Sequence, residues 1–481
     1  MKEALHCVVA VLVLSGGLAA QPGERRVFRA GAATSNITPP LGSPIVGGWD
    51  SPPSTNVHDE LHARALVLED GSTRLAIVLC DSVGIARGVY DEAKRMIHEE
   101  TGMPRENMLM AATHTHSASS ARGNRDITIG PLDEYQRFLA YRIRDAVLRA
   151  VNHLEPARIG WGFGHNDRQV FNRRWKMKPG SEELRNPFGG VDKVRMNPPR
   201  NHADLIEPAG PTDPQINFIS VESVTGRPIA LLANYSLHYV GGVKSGDISA
   251  DYFGVFAKQI EKLLNATSQE PPFVGILSNG TSGDINNINF RPDPEESKLR
   301  FEPYKKMRIV ANEIAAEVFR AYQTVQHKDW VPLAAAQTEI TLGVRTPAGE
   351  DVRWAERTLK SPPKFHRHEE AYAQRVLAMK DWPHRIPVLL QALRIGEVGI
   401  AAIPNEVFVE IGLEIRKRSP MKRTFTIELA NGWYGYLPAV AHHELGGYET
   451  WRGTNLLEIE AAPKIAAAVI GLLQKVAPSR E

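Results

Sequence analysis

Cysteine is scarce in this chain, whose 481 residues include only Cys7 and Cys80. An excess of charge of one sign is also lacking, because 57 Lys and Arg residues stand against 55 Asp and Glu residues and leave a formal net charge of +2. A nearly neutral chain has no general attraction for polyanions, so we predict no nucleic-acid partner. No run approaches the ~20 apolar residues that a bilayer-spanning helix needs, and we therefore predict no transmembrane segment.

The N-terminus has the pattern of a secretory signal peptide. Lys2 precedes the apolar run 7–14, and a stretch of small residues follows over 15–20. We predict a signal peptide over residues 1–20 and hence a secreted protein, extracellular or periplasmic. A single transmembrane anchor is the competing interpretation, but its apolar core would be too short. Removal of Cys7 would leave Cys80 with no partner for an intramolecular disulfide.

The hydrophobic pattern predicts an α/β fold with a mixed β-sheet core flanked by helices. Apolar residues recur on one face of two predicted helices, over 135–154 and 307–322. The segment 176–214 is rich in Pro, Gly and Asn and is predicted to be a long loop, a kind of segment that often borders an active site; disorder is the alternative. The predicted strands cover residues 61–68, 75–79, 107–112, 229–233, 273–277, 388–395 and 398–403. The last two strands are close enough to form a hairpin, which makes a mixed sheet the expected arrangement.

The most informative motif is Thr-His-Thr-His-Ser at residues 113–117, directly after a predicted strand. In an extended chain, residues two apart point to the same side, so His114 and His116 would project together into a cleft. Imidazole is a common zinc ligand, and a second imidazole nearby can bind the metal or move a proton. Two solvated or structurally hydrogen-bonded histidines are the alternative.

Further polar residues follow other predicted strands. His238 lies just past the strand 229–233, and Glu406 follows the strand 398–403. A Gly- and Asn-rich turn over 278–287 is suited to orienting a polar substrate, although an ordinary turn would have the same composition. In α/β proteins, ligands bind outside strand ends, so these residues could complete one site.

Other titratable residues have structural interpretations. We predict that Cys80 is a buried strand residue. Asp81 is predicted either to cap a turn or to contact the substrate or the residues that surround the site. We assign no metal to the remaining histidine pairs: residues 366 and 368 are predicted on a solvated helix face, and residues 442 and 443 in a polar loop at the pocket rim.

In these motifs the chain resembles the catalytic region of the neutral/alkaline, non-lysosomal ceramidases, zinc amidases that split ceramide into fatty acid and sphingosine. The similarity runs in order along nearly all of the sequence after the predicted signal peptide. It is carried by residues 31–39, 61–65, 113–117, 172–173, 234–238, 283–284, 404–406, 436 and 448–449. No residues are left for the family's C-terminal β-sandwich domain.

The resemblance implies a role for each matching residue. His116 would be the general base, and Tyr448 and Arg173 would hold and polarise the substrate carbonyl. One Zn²⁺ per chain would be bound by His114, His238, Glu406 and Tyr436. The substrate-binding residues would be Asn172, Asp284 and Asn286. Because the four zinc ligands come from both ends of the chain, we predict a single catalytic domain over residues 27–481.

One position departs from the family. A serine that contributes to catalysis in ceramidases is replaced here by Asn286, and Ser282 is not an obvious substitute. Asparagine forms hydrogen bonds but is a poor nucleophile, which puts ceramide itself in doubt. Three functions stay open: a zinc hydrolase of a small-molecule or lipid N-acyl amide, with peripheral membrane contact for a lipid; a zinc esterase or sugar-amide hydrolase; and an inactive binding protein of the same fold.

Overall fold

The computed structural model describes residues 26–123, 127 and 130–478. The predicted signal peptide and Cys7 lie outside these residues. Among the described helices, none is both long enough and apolar enough to cross a membrane.

The strands, in chain order, are β1 (Arg29–Asn36), β2 (Asn56–Val57), β3 (His62–Glu69), β4 (Arg74–Cys80), β5 (Met108–Ala112), β6 (Glu155–His165), β7 (Phe171–Asn172), β8 (Arg174–Met177), β9 (Val194–Met196), β10 (Leu205–Pro208), β11 (Gln215–Ser223), β12 (Pro228–Tyr235), β13 (Asp247–Ile248), β14 (Val274–Asn279), β15 (Ile285–Asn286), β16 (Leu333–Gly343), β17 (Arg385–Ile395), β18 (Val398–Ala402), β19 (Glu406–Val407), β20 (Arg423–Ile427) and β21 (Tyr436–Leu437). The α-helices are α1 (Arg87–Thr101), α2 (Glu134–Asn152), α3 (Asp251–Leu263), α4 (Pro294–Lys298), α5 (Lys305–Tyr322), α6 (Gly349–Thr358), α7 (Glu369–Ala378), α8 (Val409–Arg418), α9 (Val440–Leu445) and α10 (Ala461–Val476).

The main sheet has eight strands in the order β14-β12-β11-β6-β1-β3-β4-β5. It is mixed, as the sequence predicted: β4 pairs with β5 and β12 with β14 in parallel, and the other pairs are antiparallel. Each parallel pair is joined by a helical crossover, α1 in the first case and α3 in the second, because parallel neighbours cannot be connected by a tight turn. The edge strand β14 also approaches β3, β4 and β5 closely, so the sheet is curled and its two edges come near each other.

A second sheet, β16-β17-β18-β20, covers one face of the main sheet. The two sheets share a core of aliphatic side chains, which on the main sheet include Leu66 and Leu79 and on the second sheet Leu393 and Ile400. Helices cover the outer faces: α1, α2, α3 and α5 lie on the main sheet, and α10 lies on the second. The helix α2 begins with a capping box between Asp133 and Gln136, which satisfies backbone N–H groups of its first turn.

The predicted elements are present with small shifts at their ends. All seven predicted strands and both predicted helices occur within three residues of the predicted bounds, and β17 and β18 form the expected hairpin. Cys80 is fully buried in β4, as predicted. The segment 176–214 is not a continuous loop, because β9 and β10 pair with β8 in a three-stranded sheet there.

The predictions for Asp81 and for the two histidine pairs have mixed outcomes. Asp81 accepts hydrogen bonds from the Arg64 guanidinium and from the His62 backbone, so it is structural. Residues 366 and 368 precede α7 instead of lying on a helix face, and His368 stacks on Trp49. Residues 442 and 443 belong to α9 rather than to a loop. Neither member of this last pair lines the cavity described below.

Candidate metal centre and active site

The two histidines of the Thr-His-Thr-His-Ser motif follow the end of β5 and approach each other. The Nε2 atoms of His114 and His116 are 3.1 Å apart. The chain is not extended here, because His114 has a φ of 73°, in the left-handed region. The reason given for the convergence was therefore wrong, although the side chains do converge. The Nδ1 atom of His114 lies 2.5 Å from the carbonyl oxygen of Val83, which directs Nε2 to the centre of the site.

His238 reaches the same point from the end of β12. Its Nδ1 atom lies 3.1 Å from the carbonyl oxygen of Ser282, and its Nε2 atom lies 3.0 Å from Nε2 of His114. A carbonyl oxygen accepts only, so both rings carry their proton on Nδ1 and present an Nε2 lone pair.

Glu406 and Tyr436 complete the cluster from a short parallel pair, β19 and β21, in which they are directly opposite. Trp433 donates a hydrogen bond from Nε1 to Glu406 Oε1 at 3.1 Å. The other oxygen, Oε2, is buried, receives no hydrogen bond from the described residues, and lies 3.3 Å from His114 Nε2 and 3.9 Å from His238 Nε2. An unpartnered buried carboxylate oxygen is aimed at the imidazoles.

Burial sets the protonation states of the site. It lowers the pKa of both His116 and His238 well below the ordinary value, and the positive charge of Arg173 acts in the same direction. Burial raises the pKa of Glu406, but its polar surroundings, which include the guanidinium of Arg122, outweigh this effect, so the pKa is lowered overall. Burial also raises the pKa of Tyr436 well above its ordinary value, against the opposing charge of Arg173.

This set of atoms fits a zinc ion. Two imidazole lone pairs and a carboxylate oxygen face one another, which is repulsive unless a cation lies between them. Ligands ~2.0–2.1 Å from tetrahedral zinc are separated by about 3.3 Å, close to the separations seen here. One ring nitrogen from each of the three histidines, including His116, is near enough to the others to share a metal. The division of His114 and His238 as ligands and His116 as base therefore stays a prediction.

A cavity of about 180 Å³ opens over this cluster. Arg173 and Tyr448 line it, as do the proposed ligands. Arg173 donates from Nη2 to the Tyr436 hydroxyl and from Nε to Glu449 Oε1, both at 2.9 Å. The Tyr448 ring lies edge-on to that of Tyr436, with 5.6 Å between centroids. Arg173 and Tyr448, the two residues predicted to hold the substrate carbonyl, thus lie beside the proposed metal ligands.

The three predicted substrate-binding residues lie behind the cavity wall and do not line it. Asn172 donates to Asp284 Oδ2 at 2.7 Å, and Asp284 Oδ1 accepts from the backbone of Val409. Asn286 donates to Asn197 Oδ1 at 2.6 Å, and it is Asn197 that lines the cavity. Any contact of Asn286 with substrate would pass through Asn197, and the predicted roles stay predictions.

Sequence reasoning missed several residues that shape the site. Tyr239, next to His238, stacks on His116 with 3.7 Å between ring centroids. Gly47 has a φ of 129° and lies so close to the His116 side chain that an added Cβ would be 2.6 Å from its Cγ. Trp49 and Arg375 also line the cavity. Only Tyr239 could have been found from its neighbour in sequence, because the others are far from every motif.

Comparisons with known proteins identify the family and the fold. The family profile described as neutral/alkaline non-lysosomal ceramidase, N-terminal, matches residues 28–295, more than half of the chain. The crystal structure of neutral ceramidase from Pseudomonas aeruginosa is similar, with a TM-score of 0.67 and 18% identity over 95% of this chain and 76% of that chain. A structure of ceramidase complexed with C2 has a TM-score of 0.68 and 16% identity over 95% of this chain and 77% of that chain.

The two kinds of likeness support different statements. At such low identity, the similarity to solved structures shows a common fold, and it extends past Glu406 and Tyr436 to nearly the whole chain. The profile match covers His114, His116, Arg173 and His238 and carries the assignment to a family. The chain belongs to the neutral/alkaline non-lysosomal ceramidase family, whose members are hydrolases that act on amides.

Proposed function

We propose that this protein is a zinc-dependent hydrolase that cleaves an N-acyl amide. The observation that supports it most directly is the convergence of two imidazole nitrogens, His114 Nε2 and His238 Nε2, on a buried carboxylate oxygen, Glu406 Oε2, that has no hydrogen-bond partner among the described residues. In this proposal one zinc ion per chain is held by His114 Nε2, His238 Nε2, Glu406 Oε2 and the Tyr436 oxygen.

When bound, the zinc supplies an activated water and a Lewis acid for the amide carbonyl. His116 accepts a proton from the attacking water and delivers it to the nitrogen of the leaving amine. Its lowered pKa keeps the imidazole neutral and ready to accept that proton. Stacking on Tyr239 and contact with Gly47 hold the ring in place, since its Nδ1 atom has no hydrogen-bond partner among the described residues.

Negative charge develops on the carbonyl oxygen during attack, and Tyr448 and Arg173 are placed to stabilise it. Arg173 has a second effect in this proposal. Its guanidinium donates to the Tyr436 oxygen at 2.9 Å and opposes the rise in pKa that burial imposes on Tyr436. A positive charge at this distance favours the phenolate form that a zinc ligand needs.

The metal content of the purified chain tests the proposal. We expect one zinc per chain by mass spectrometry of the metal, and loss of both zinc and amide hydrolysis in His238→Ala. The matched control is His98→Ala, because the Nδ1 atom of His98 also lies close to a backbone carbonyl oxygen, that of Met103, far from the cavity. A wild-type chain without stoichiometric zinc, or a His238→Ala variant that keeps it, would refute the site.

We also propose that the protein is exported, on the basis of the N-terminal pattern over residues 1–20. N-terminal sequencing of the protein recovered from the medium or periplasm is expected to begin near Gln21. An intact N-terminus on a protein retained in the cytoplasm would contradict this.

A further inference from the structure

The charge lining the catalytic cavity is unusual for a protein that is nearly neutral overall. The cavity wall contains three guanidinium groups, those of Arg122, Arg173 and Arg375, and one carboxylate, that of Glu406. The whole chain has a formal charge of only +2, so the positive charge is local to the cavity. Arg173 has a role in the hydrolysis of any amide in the proposed function, whereas a neutral amide gives Arg375 no such role.

Arg375 is the guanidinium with the least compensation. Arg173 is paired with Glu449, which is fully buried. Within the described residues, Arg375 pairs with no carboxylate, and its one hydrogen bond is a long contact of 3.4 Å from Nη1 to Thr454 Oγ1. An arginine has five N–H donors in a fork that matches a carboxylate, and most of those of Arg375 have no protein acceptor.

The surroundings hold Arg375 in place at the cavity mouth. Its guanidinium carbon lies 4.7 Å from the ring centroid of Tyr372 and 5.4 Å from that of Trp49. Its stem packs against Gly453, where an added Cβ would lie 3.1 Å from the Arg375 Cβ. Trp49 is itself fixed by stacking on His368 with 3.4 Å between ring centroids. The side chain is therefore ordered in advance for a ligand.

A line of aromatic rings connects Arg375 to the reacting centre. The Trp49 ring lies 5.9 Å from that of Tyr448, and the Tyr448 ring lies 5.6 Å from that of Tyr436. At about 180 Å³ the cavity is smaller than the ~300–1,000 Å³ of pockets that enclose a drug-sized ligand. It fits the polar part of a substrate and leaves a long acyl chain outside.

We propose that the substrate is an amide that carries a carboxylate, of the N-acyl amino acid class, and that Arg375 binds this carboxylate. Hydrolysis adds water across the C–N bond and yields the fatty acid and the free amino acid. The inference rests on the proposed amide hydrolase function and specifies its substrate class. Arg375 acts here as a specificity residue and takes no part in the chemical step.

The test compares two amides that differ only in charge, N-octanoylglycine and N-octanoylglycinamide. For the zinc-loaded full chain we expect a kcat/KM about 10–100-fold higher for octanoylglycine at low ionic strength, the usual value of a hydrogen-bonded charge pair. Arg375→Gln should remove this preference and leave the kcat/KM for octanoylglycinamide within about twofold. Arg375→Lys, which keeps the charge and loses the fork, should retain part of the preference.

A matched control is Arg357→Gln, which removes an exposed arginine from the neighbouring helix α6 and should not change the preference. Circular dichroism checks that each variant is folded. Equal kcat/KM for the two amides in the wild-type chain, or an equal loss for both amides in Arg375→Gln, would overturn the inference.

Binding gives a readout that does not depend on turnover. Calorimetric titration of the two amides into the full-length His116→Ala variant should show about tenfold tighter binding of octanoylglycine, and this difference should vanish when Arg375→Gln is added. If the wild-type chain hydrolyses neither amide but the binding difference is present, the proposed function and the substrate class fail, and only the binding of a carboxylate by Arg375 stands. If both amides are hydrolysed and bound equally, this inference fails and the proposed function stands.

Discussion

Glu428 is a fully buried carboxylate directly behind the proposed zinc ligands. Its Oε1 accepts from Ser282 Oγ at 2.6 Å, and its Oε2 accepts from the backbone N–H groups of Val407 at 2.7 Å and Ser282 at 3.2 Å. The carbonyl of Ser282 orients His238, and Val407 follows Glu406 in the chain. Glu428 therefore fixes the backbone beside two of the four proposed ligands.

The change Glu428→Ala removes the acceptor for three hydrogen bonds. Each of the two backbone N–H groups left unpaired in the interior costs ~1–3 kcal/mol, and the cavity adds to this, so we expect the free energy of unfolding to fall by about 3–6 kcal/mol. Because outer-shell groups that orient ligands typically contribute 10–100-fold to metal affinity, we also expect zinc binding to weaken by about this factor.

The assay for stability is urea denaturation, and the assay for zinc is competition with a chromophoric chelator. Glu369 offers a matched control, since it is also buried and accepts from three backbone N–H groups, those of Lys364, Phe365 and His366. Glu369→Ala should lose comparable stability and keep its zinc affinity. If Glu428→Ala loses stability but binds zinc as tightly as the wild type does, Glu428 is an ordinary structural carboxylate and the reasoning is refuted.

Three further predictions concern catalysis. His116→Ala should keep most of its zinc and lose ~10²–10⁴-fold in turnover, the usual contribution of a positioned acid/base; loss of zinc would make His116 a ligand. A free imidazole is half protonated at a pH of about 6.5, and burial lowers the pKa of His116 below this value. We therefore expect kcat/KM to stay constant as the pH falls to about 6.5 and to decrease only at lower pH. A decrease with its midpoint at or above pH ~6.5 would contradict this. Asn286→Ser should free Asn197 at the cavity wall and raise ceramide hydrolysis, measured as fatty acid released from detergent-dispersed substrate, at unchanged zinc content; efficient ceramide turnover by the unmodified chain would show that Asn286 is tolerated.

The local pattern of the sequence was enough to predict the elements of the fold. Strands such as β4 and β5 are short, apolar and bounded by turn residues, and the stripes on α2 and α5 recur with helical spacing. These signals arise from which side chains must be buried, and that requirement acts over a few residues. The segment 176–214 was misjudged because its strands β8, β9 and β10 are only three to four residues long and carry little apolar pattern.

The sequence also supplied the residue types of the site through its resemblance to a family, but the spatial argument for His114 and His116 was wrong. Alternation along an extended strand cannot apply where the backbone of His114 is left-handed. His114 is directed to the centre by the contact between its Nδ1 atom and the Val83 carbonyl oxygen, and His116 is held by stacking on Tyr239.

The sequence by itself determined which elements form, which residues could bind a metal, and that the chain is nearly neutral. Only the tertiary structure decided that β5 and β12, near opposite edges of one curled sheet, bring His114 and His238 to within 3.0 Å of each other. It also decided that Arg375 reaches the cavity. The physical reason is that sheet curvature and the packing of distant segments depend on the sum of many contacts between residues far apart in sequence, which no local pattern encodes.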